Sequence, residues 1–93
     1  MFRFDKVATK QILDLCEAIM DSSFMEMEFI RAKYIRQSPN FSETLEFLRE
    51  LNLIALKHNE IVPIGDYEAL LAHLRQSQRR EEVVRTFMRT HLL

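Results

Sequence analysis

The sequence predicts a mainly α fold with one small β-hairpin, and three observations predict it. Apolar residues recur at helical spacing in successive stretches, and two short apolar runs flank a polar tip at residues 57–60. Glycine and proline, the residues that punctuate irregular structure, number only one and two in 93 residues.

The first helical stretch covers residues 6–20, with Ala8, Ile12, Leu15, Cys16, Ile19 and Met20 on one stripe and Lys10, Asp14 and Glu17 opposite. Cys16 within the apolar stripe reads as a small buried hydrophobe, since no cation or helix N-terminus is there to activate it. Asp21, Ser22 and Ser23 then break the pattern. Ser23 with Glu26 three residues later is a capping-box signature, which predicts a second helix from Phe24 to about Gln37 with Phe24, Met27, Ile30, Tyr34 and Ile35 inward. Pro39 disfavours helical backbone at Ser38. Asn40 with Glu43 repeats the capping signature for a third helix starting at Phe41. That helix projects Phe41, Leu45, Phe47, Leu48 and Leu51 to one side, and Ser42, Glu43, Glu46, Arg49 and Glu50 to the other. A link of about three residues, 38–40, joins the two helices in the manner of a helix-turn-helix.

Residues 53–56 and 61–64 are the apolar runs of the hairpin, around Lys57, His58, Asn59 and Glu60. The tip lacks the Asn-Gly or Asp-Gly of the tightest hairpins, so a loop longer than two residues is expected. Pro63 cannot donate to a ladder, which places it at an edge or at a strand end. After Gly65, Asp66 is read as the cap of a helix with Tyr67, Leu70, Leu71 and Leu74 in its stripe. Residues 75–82 hold no large hydrophobe, and the pattern resumes with Val83, Val84, Phe87, Met88 and Leu92. Either one long helix or two helices meeting near Ser77 satisfies this.

Length allows one domain, residues 1–93, with a core at about 6–64 and a helical extension at about 66–93; the chain is read as the N-terminal part of a larger protein. Thirteen Lys plus Arg against fourteen Asp plus Glu give a formal charge of -1, which excludes binding of nucleic acid by bulk charge excess. A single cysteine excludes an internal disulfide framework and suits a reducing, cytoplasmic location. No apolar run approaches a membrane span, so no membrane partner is expected. One glycine cannot build a phosphate-cradling loop. His58, His73 and His91 are dispersed, without a spacing that builds a metal site. No cofactor, metal or catalytic residue is therefore assigned, and the chain is read as non-enzymatic.

The order helix, helix, tight turn, helix, hairpin resembles the winged-helix family, best over residues 40–64, where a Leu-rich third helix ends in Leu53-Ile54 and runs into a polar-tipped hairpin. Asn52 stands where that family usually has Gly, and Asn tolerates the left-handed backbone required there. The resemblance implies double-stranded DNA as partner, with the third helix in the major groove and the hairpin along the backbone or minor groove. The face so implied holds three carboxylates, Glu43, Glu46 and Glu50, against Arg49. Cations elsewhere must then restore attraction to phosphate. The residues expected to touch DNA are Arg31, Lys33 and Arg36 on the second helix, Ser42 and Arg49 on the third, Lys57 and His58 on the wing, and Arg79 and Arg80 in the C-terminal region. The alternative is a winged helix used for protein contacts, either as a homodimer or docked to other domains of a longer chain. Its expected surface is Val84, Phe87, Met88 and Leu92, because a stripe at a chain end has little local core to cover it.

Overall fold

The computed structural model describes residues 8–22 and 25–92, the side chain of Leu92 excepted. Along them run α1 (Thr9–Met20), α2 (Met27–Tyr34), α3 (Phe41–Glu50), β1 (Ile54–Lys57), β2 (Glu60–Pro63), α4 (Asp66–Gln76) and α5 (Arg80–Leu92). The expected cap at Ser23 and the inward Phe24 lie outside the described residues.

The central helix is α1, against which α2, α3, α4 and α5 all pack. Its sequence permits this because Ile12, Leu15 and Cys16 are fully buried and Ala18 and Ile19 nearly so, which spreads the apolar surface beyond one stripe. Small side chains at Cys16 and Ala18 let neighbouring helices approach. Each buried aliphatic side chain contributes about 1.5–3 kcal/mol relative to exposure.

Asp14 departs from expectation. Its carboxylate is buried, accepting from Lys10 Nζ at 2.6 Å and from Ser38 Oγ, so it fastens the α2–α3 link to α1. Lys10 Nζ also donates to the Gln37 carbonyl at 3.1 Å, and Gln11 Nε2 to the Pro39 carbonyl at 3.3 Å.

The start of α2 falls at Met27, with Glu26 as its N-cap, because the chain before it is taken into the sheet. Met27 N–H donates to the Asn59 carbonyl at 2.7 Å and Ile61 N–H to the Met25 carbonyl at 2.9 Å, forming a bridge between Glu26 and Glu60. The helix ends at Tyr34, so the link to α3 is residues 35–40, six residues where three were expected. Ile35, expected inward, is half exposed. Tyr34 Oη donates to the Pro39 carbonyl at 2.7 Å and lies 2.8 Å from Thr44 Oγ1, which is fully buried. These bonds shape the link from inside.

Asn40 precedes α3 in left-handed backbone, φ 63°, with no side-chain cap. The predicted capping box with Glu43 is not formed; the Asn40 carbonyl accepts the first helical bond, from Thr44 N–H at 3.1 Å, while the left-handed backbone replaces the extended one from which a side chain caps. At the other end Asn52, φ 59°, donates to the Arg49 carbonyl at 3.0 Å and Leu53 N–H to the Leu48 carbonyl at 3.1 Å. That pair of bonds is a Schellman stop, with Leu48 and Leu53 both buried beneath it. All three asparagines of the chain, Asn40, Asn52 and Asn59, sit at positive φ. In a sequence with one glycine, asparagine supplies the left-handed turns.

β1 and β2 pair antiparallel, Ile54 with Pro63 through Lys57 with Glu60. Only His58 and Asn59 connect them, at φ 51° and 64°, the geometry of a two-residue type I′ turn. This is tighter than expected, and Asn59 takes the place that glycine holds in commoner versions. Pro63 ends β2 opposite Ile54, at a pair that exchanges no ladder bonds, and the next residue carries the ladder on, Ile64 N–H donating to the Leu53 carbonyl at 2.9 Å.

Gly65, φ 44°, is the N-cap of α4, a place expected of Asp66, which instead opens the first turn. Tyr67, Leu70, Leu71 and Leu74 are buried as the stripe predicts. α4 and α5 are separate helices, turning at residues 77–79, where Ser77 Oγ accepts from Arg79 N–H at 3.0 Å. Val84 and Met88 are fully buried and α5 packs on α1, so the C-terminal helices belong to the core and are not an appendage to it. No described helix is long and apolar enough to cross a membrane.

Candidate functional site

The face of α3 that the sequence marks for DNA is presented to solvent: Ser42, Glu43, Arg49 and Glu50 are exposed and Glu46 partly so. Its single cation is already engaged, because Arg49 Nη2 donates to Glu46 Oε1 at 2.5 Å. The hydrogen bond to Glu46, then the Glu46 and Glu50 charges, push the Arg49 pKa above its ordinary value, which marks a guanidinium held by acids.

The other predicted cations are divided among different parts of the molecule. Arg31 and Arg36 are exposed, and Lys57 and His58 are exposed at the hairpin tip. Lys33 Nζ donates to the Asp21 carbonyl, closing the C-terminal end of α1. Lys33 and Arg36 also line a recess of about 280 Å³ between α1 and α2, shared with Asp14, Glu17 and Asp21. Arg79 faces Glu82 at 3.6 Å. Arg80 joins three helices: its Nε donates to the Leu74 carbonyl at 3.0 Å, which caps α4, and its Nη1 pairs with Glu17 at 2.9 Å across to α1. Of the Lys and Arg residues predicted to bind phosphate, Arg31, Arg36 and Lys57 have neither an ion pair nor a side-chain hydrogen bond among the described residues.

The predicted interaction surface changes as well. Val84 and Met88 are core residues on the inward face of α5 and are unavailable as surface, while the Leu92 side chain lies outside the described residues. Phe87 remains half-buried and leads to a neighbouring feature that the sequence did not indicate. Between α4 and α5 runs a groove of about 690 Å³. Leu70, Val83 and Phe87 form its floor, with Ala69 and Thr86 along its sides. Asp66 and His91 close one end, Oδ2 to Nε2 at 3.7 Å, with the His91 ring tilted over Phe87 at a centroid distance of 4.2 Å. Arg79 and Glu82 stand at the other. The signal for it is present in the spacing 66, 69, 70, 73 on α4 and 82, 83, 86, 90 on α5, but Ala and Thr carry too little hydrophobicity to register as a stripe.

Cys16 and Tyr67 meet in the core, Sγ to Oη 3.2 Å, joining α1 to α4. Burial pushes the thiol pKa up to about 12, only partly opposed by the hydrogen bond from Tyr67, so it is neutral and unreactive at neutral pH. Among the described residues no group of three or more His, Cys, Asp or Glu is placed to hold a metal ion.

Set against known proteins, the chain matches no family model, no curated protein and no solved structure.

Proposed function

We propose that this chain is a non-catalytic, winged-helix-like module whose working contacts are with protein. The observation that carries this is the groove between α4 and α5, in which Val83 and Phe87 leave apolar surface half-covered between oppositely charged side chains. The winged-helix assignment is supported by the order α1, α2, α3, hairpin, and by the bridge that ties Glu26 to the hairpin. Protein is favoured over DNA by electrostatics. A duplex would meet on α3 three carboxylates around a guanidinium that one of them already holds. The five cations with neither an ion pair nor a side-chain hydrogen bond among the described residues, Arg31, Arg36, Lys57, Arg75 and Arg89, are divided among α2 and the link after it, the hairpin, α4 and α5, and are few beside the roughly six to ten phosphate contacts of a strong duplex binder.

DNA binding is the second reading, favoured by the exposure of Arg31, Arg36 and Lys57. Titration of labelled duplex with the chain at about 50 and about 200 mM salt separates the two. Protein association predicts no binding at either concentration. Saturable binding at the lower salt that collapses at the higher would establish the DNA reading in its place.

A further inference from the structure

We propose that a second copy of this chain occupies the α4–α5 groove, the two grooves facing each other across a two-fold axis near Thr86 with each α5 antiparallel to the other. This rests on the association reading above and names its partner.

The shape of the groove selects a helix as occupant. Both walls are helices whose backbone groups are bonded internally, so the groove offers side chains and no strand edge to pair with. Ala69 and Thr86 are small and exposed, and beside them Val83 and Phe87 are half-buried. A helix laid there can approach closely and complete the burial of both.

The charge pattern selects the second copy. Glu82 and Arg89 are seven residues apart on α5, which returns them to one face within about 20°. Thr86 lies between them, about 6 Å along the helix from Glu82 and about 4.5 Å from Arg89 at 1.5 Å rise per residue. Turning α5 end for end about Thr86 therefore sets Glu82 of one copy opposite Arg89 of the other, twice. A two-fold contact requires a patch that complements itself, and this patch does. A parallel arrangement would set Glu82 against Glu82 and Arg89 against Arg89.

The charges are free to make these pairs. Arg89 has no ion pair among the described residues, and Glu82 meets Arg79 only at 3.6 Å, with side chains 65% and 83% exposed. The helix ends agree: α5 has Glu81 and Glu82 in its first turn and Arg89 and His91 in its last, and α4 likewise runs from Asp66 and Glu68 to His73 and Arg75. Antiparallel apposition of the two α5 helices brings the acidic first turn of each to the basic last turn of the other and opposes their dipoles.

Two helices about 9 Å apart and about 20 Å long make a patch at the small end of protein interfaces, which sets the expected affinity in the micromolar range. Sedimentation from roughly 1 μM to a few hundred micromolar is then expected to pass from monomer to dimer. Thr86→Arg should leave the chain monomeric throughout with unchanged circular dichroism and melting temperature, since Thr86 is exposed and the fold does not depend on it. Glu82→Lys and Arg89→Glu should each weaken the dimer about tenfold or more, and an equimolar mixture of the two should recover it, because every facing pair is then of opposite sign. A chain monomeric at all concentrations, or an association indifferent to Thr86→Arg, overturns the second copy as occupant. Failure of the mixture to recover overturns the antiparallel arrangement. Neither result touches the choice of protein over DNA, which fails only if the duplex titration shows salt-sensitive binding.

Discussion

On the exposed face of α3, Arg49 Nη2 lies 2.5 Å from Glu46 Oε1. The pair uses the single cation of that face, leaving Glu43 and Glu50 without a counter-charge on it. Replacing Glu46 and Glu50 with lysine converts three acids and one base into one acid and three bases, a change in formal charge from -2 to +2. Glu46→Lys with Glu50→Lys is therefore expected to strengthen salt-sensitive, sequence-independent duplex binding relative to the natural chain, with little change in melting temperature. Fluorescence anisotropy with two unrelated duplexes measures both the gain and its lack of specificity.

Asp14 is the fixed point of the α2–α3 link. Asp14→Ala removes the acceptor of the buried Ser38 hydroxyl proton and the counter-charge of Lys10, leaving the link only the Lys10 contacts to Ser38 Oγ at 3.3 Å and to the Gln37 carbonyl, so unfolding in urea should show a loss of about 2 kcal/mol. Ser38→Ala, which removes a donor from a carboxylate still held by Lys10, should cost less.

Cys16 and Tyr67 give the fold an alkaline limit. Both acids are raised in the folded state, Cys16 to about 12 from its ordinary 9.0, through burial. The unfolded chain loses these protons first, so the stability associated with the neutral pair is complete below about pH 9 and declines as pH rises toward 12. Cys16→Ala, which removes one of the two titrations, should flatten that decline in melts recorded from about pH 8 to about pH 11. A thiol reagent should label native protein at about pH 8 no faster than global unfolding exposes Cys16.

Gly65 is a backbone requirement without a steric one. An added methyl would meet nothing within 4 Å, yet φ 44° is a conformation L-residues rarely adopt. Gly65→Ala should cost about 1 kcal/mol or more from strain alone, whereas Asn59→Gly in the hairpin should stabilise by a few tenths, to about 1 kcal/mol. Thermal melts of the two variants should move in opposite directions.

Arg80 tests whether the C-terminal helices are fastened to α1. Arg80→Met keeps the aliphatic stem but loses the Leu74 carbonyl and the partly exposed Glu17 pair, for an expected cost of about 1 kcal/mol. A comparable substitution at Arg75, which has no ion pair among the described residues, should cost nothing measurable.

The stripes that define α1, α3 and α4 are legible in the sequence because burial there follows helical period: Ile12, Leu15, Leu45, Leu48, Leu70 and Leu74 are all where the spacing puts them. What is not legible depends on partners distant in sequence. Asp14 reads as a surface carboxylate until Ser38, 24 residues later, turns its hydroxyl toward it. Arg80 looks like one more basic residue until Glu17, 63 residues away, accepts from it. The start of α2 is shifted because Met25 pairs with Ile61, a strand bond no local pattern announces. The hairpin turn differs for another reason: glycine is the usual signal of a two-residue turn, and this chain uses asparagine at left-handed positions. At the candidate site, Phe87 stands out in the sequence by its size. The groove beside it does not, since it is defined by the smallness of Ala69 and Thr86.

The most direct test of where this molecule makes contacts is an amide chemical-shift map of the 93-residue chain across a dilution series. Association through the α4–α5 groove predicts concentration-dependent shifts centred on Ala69, Thr86 and Thr90, with Ser42 and Glu43 on α3 unmoved. Shifts centred instead on Ser42 and Glu43, or a spectrum independent of concentration, would contradict it.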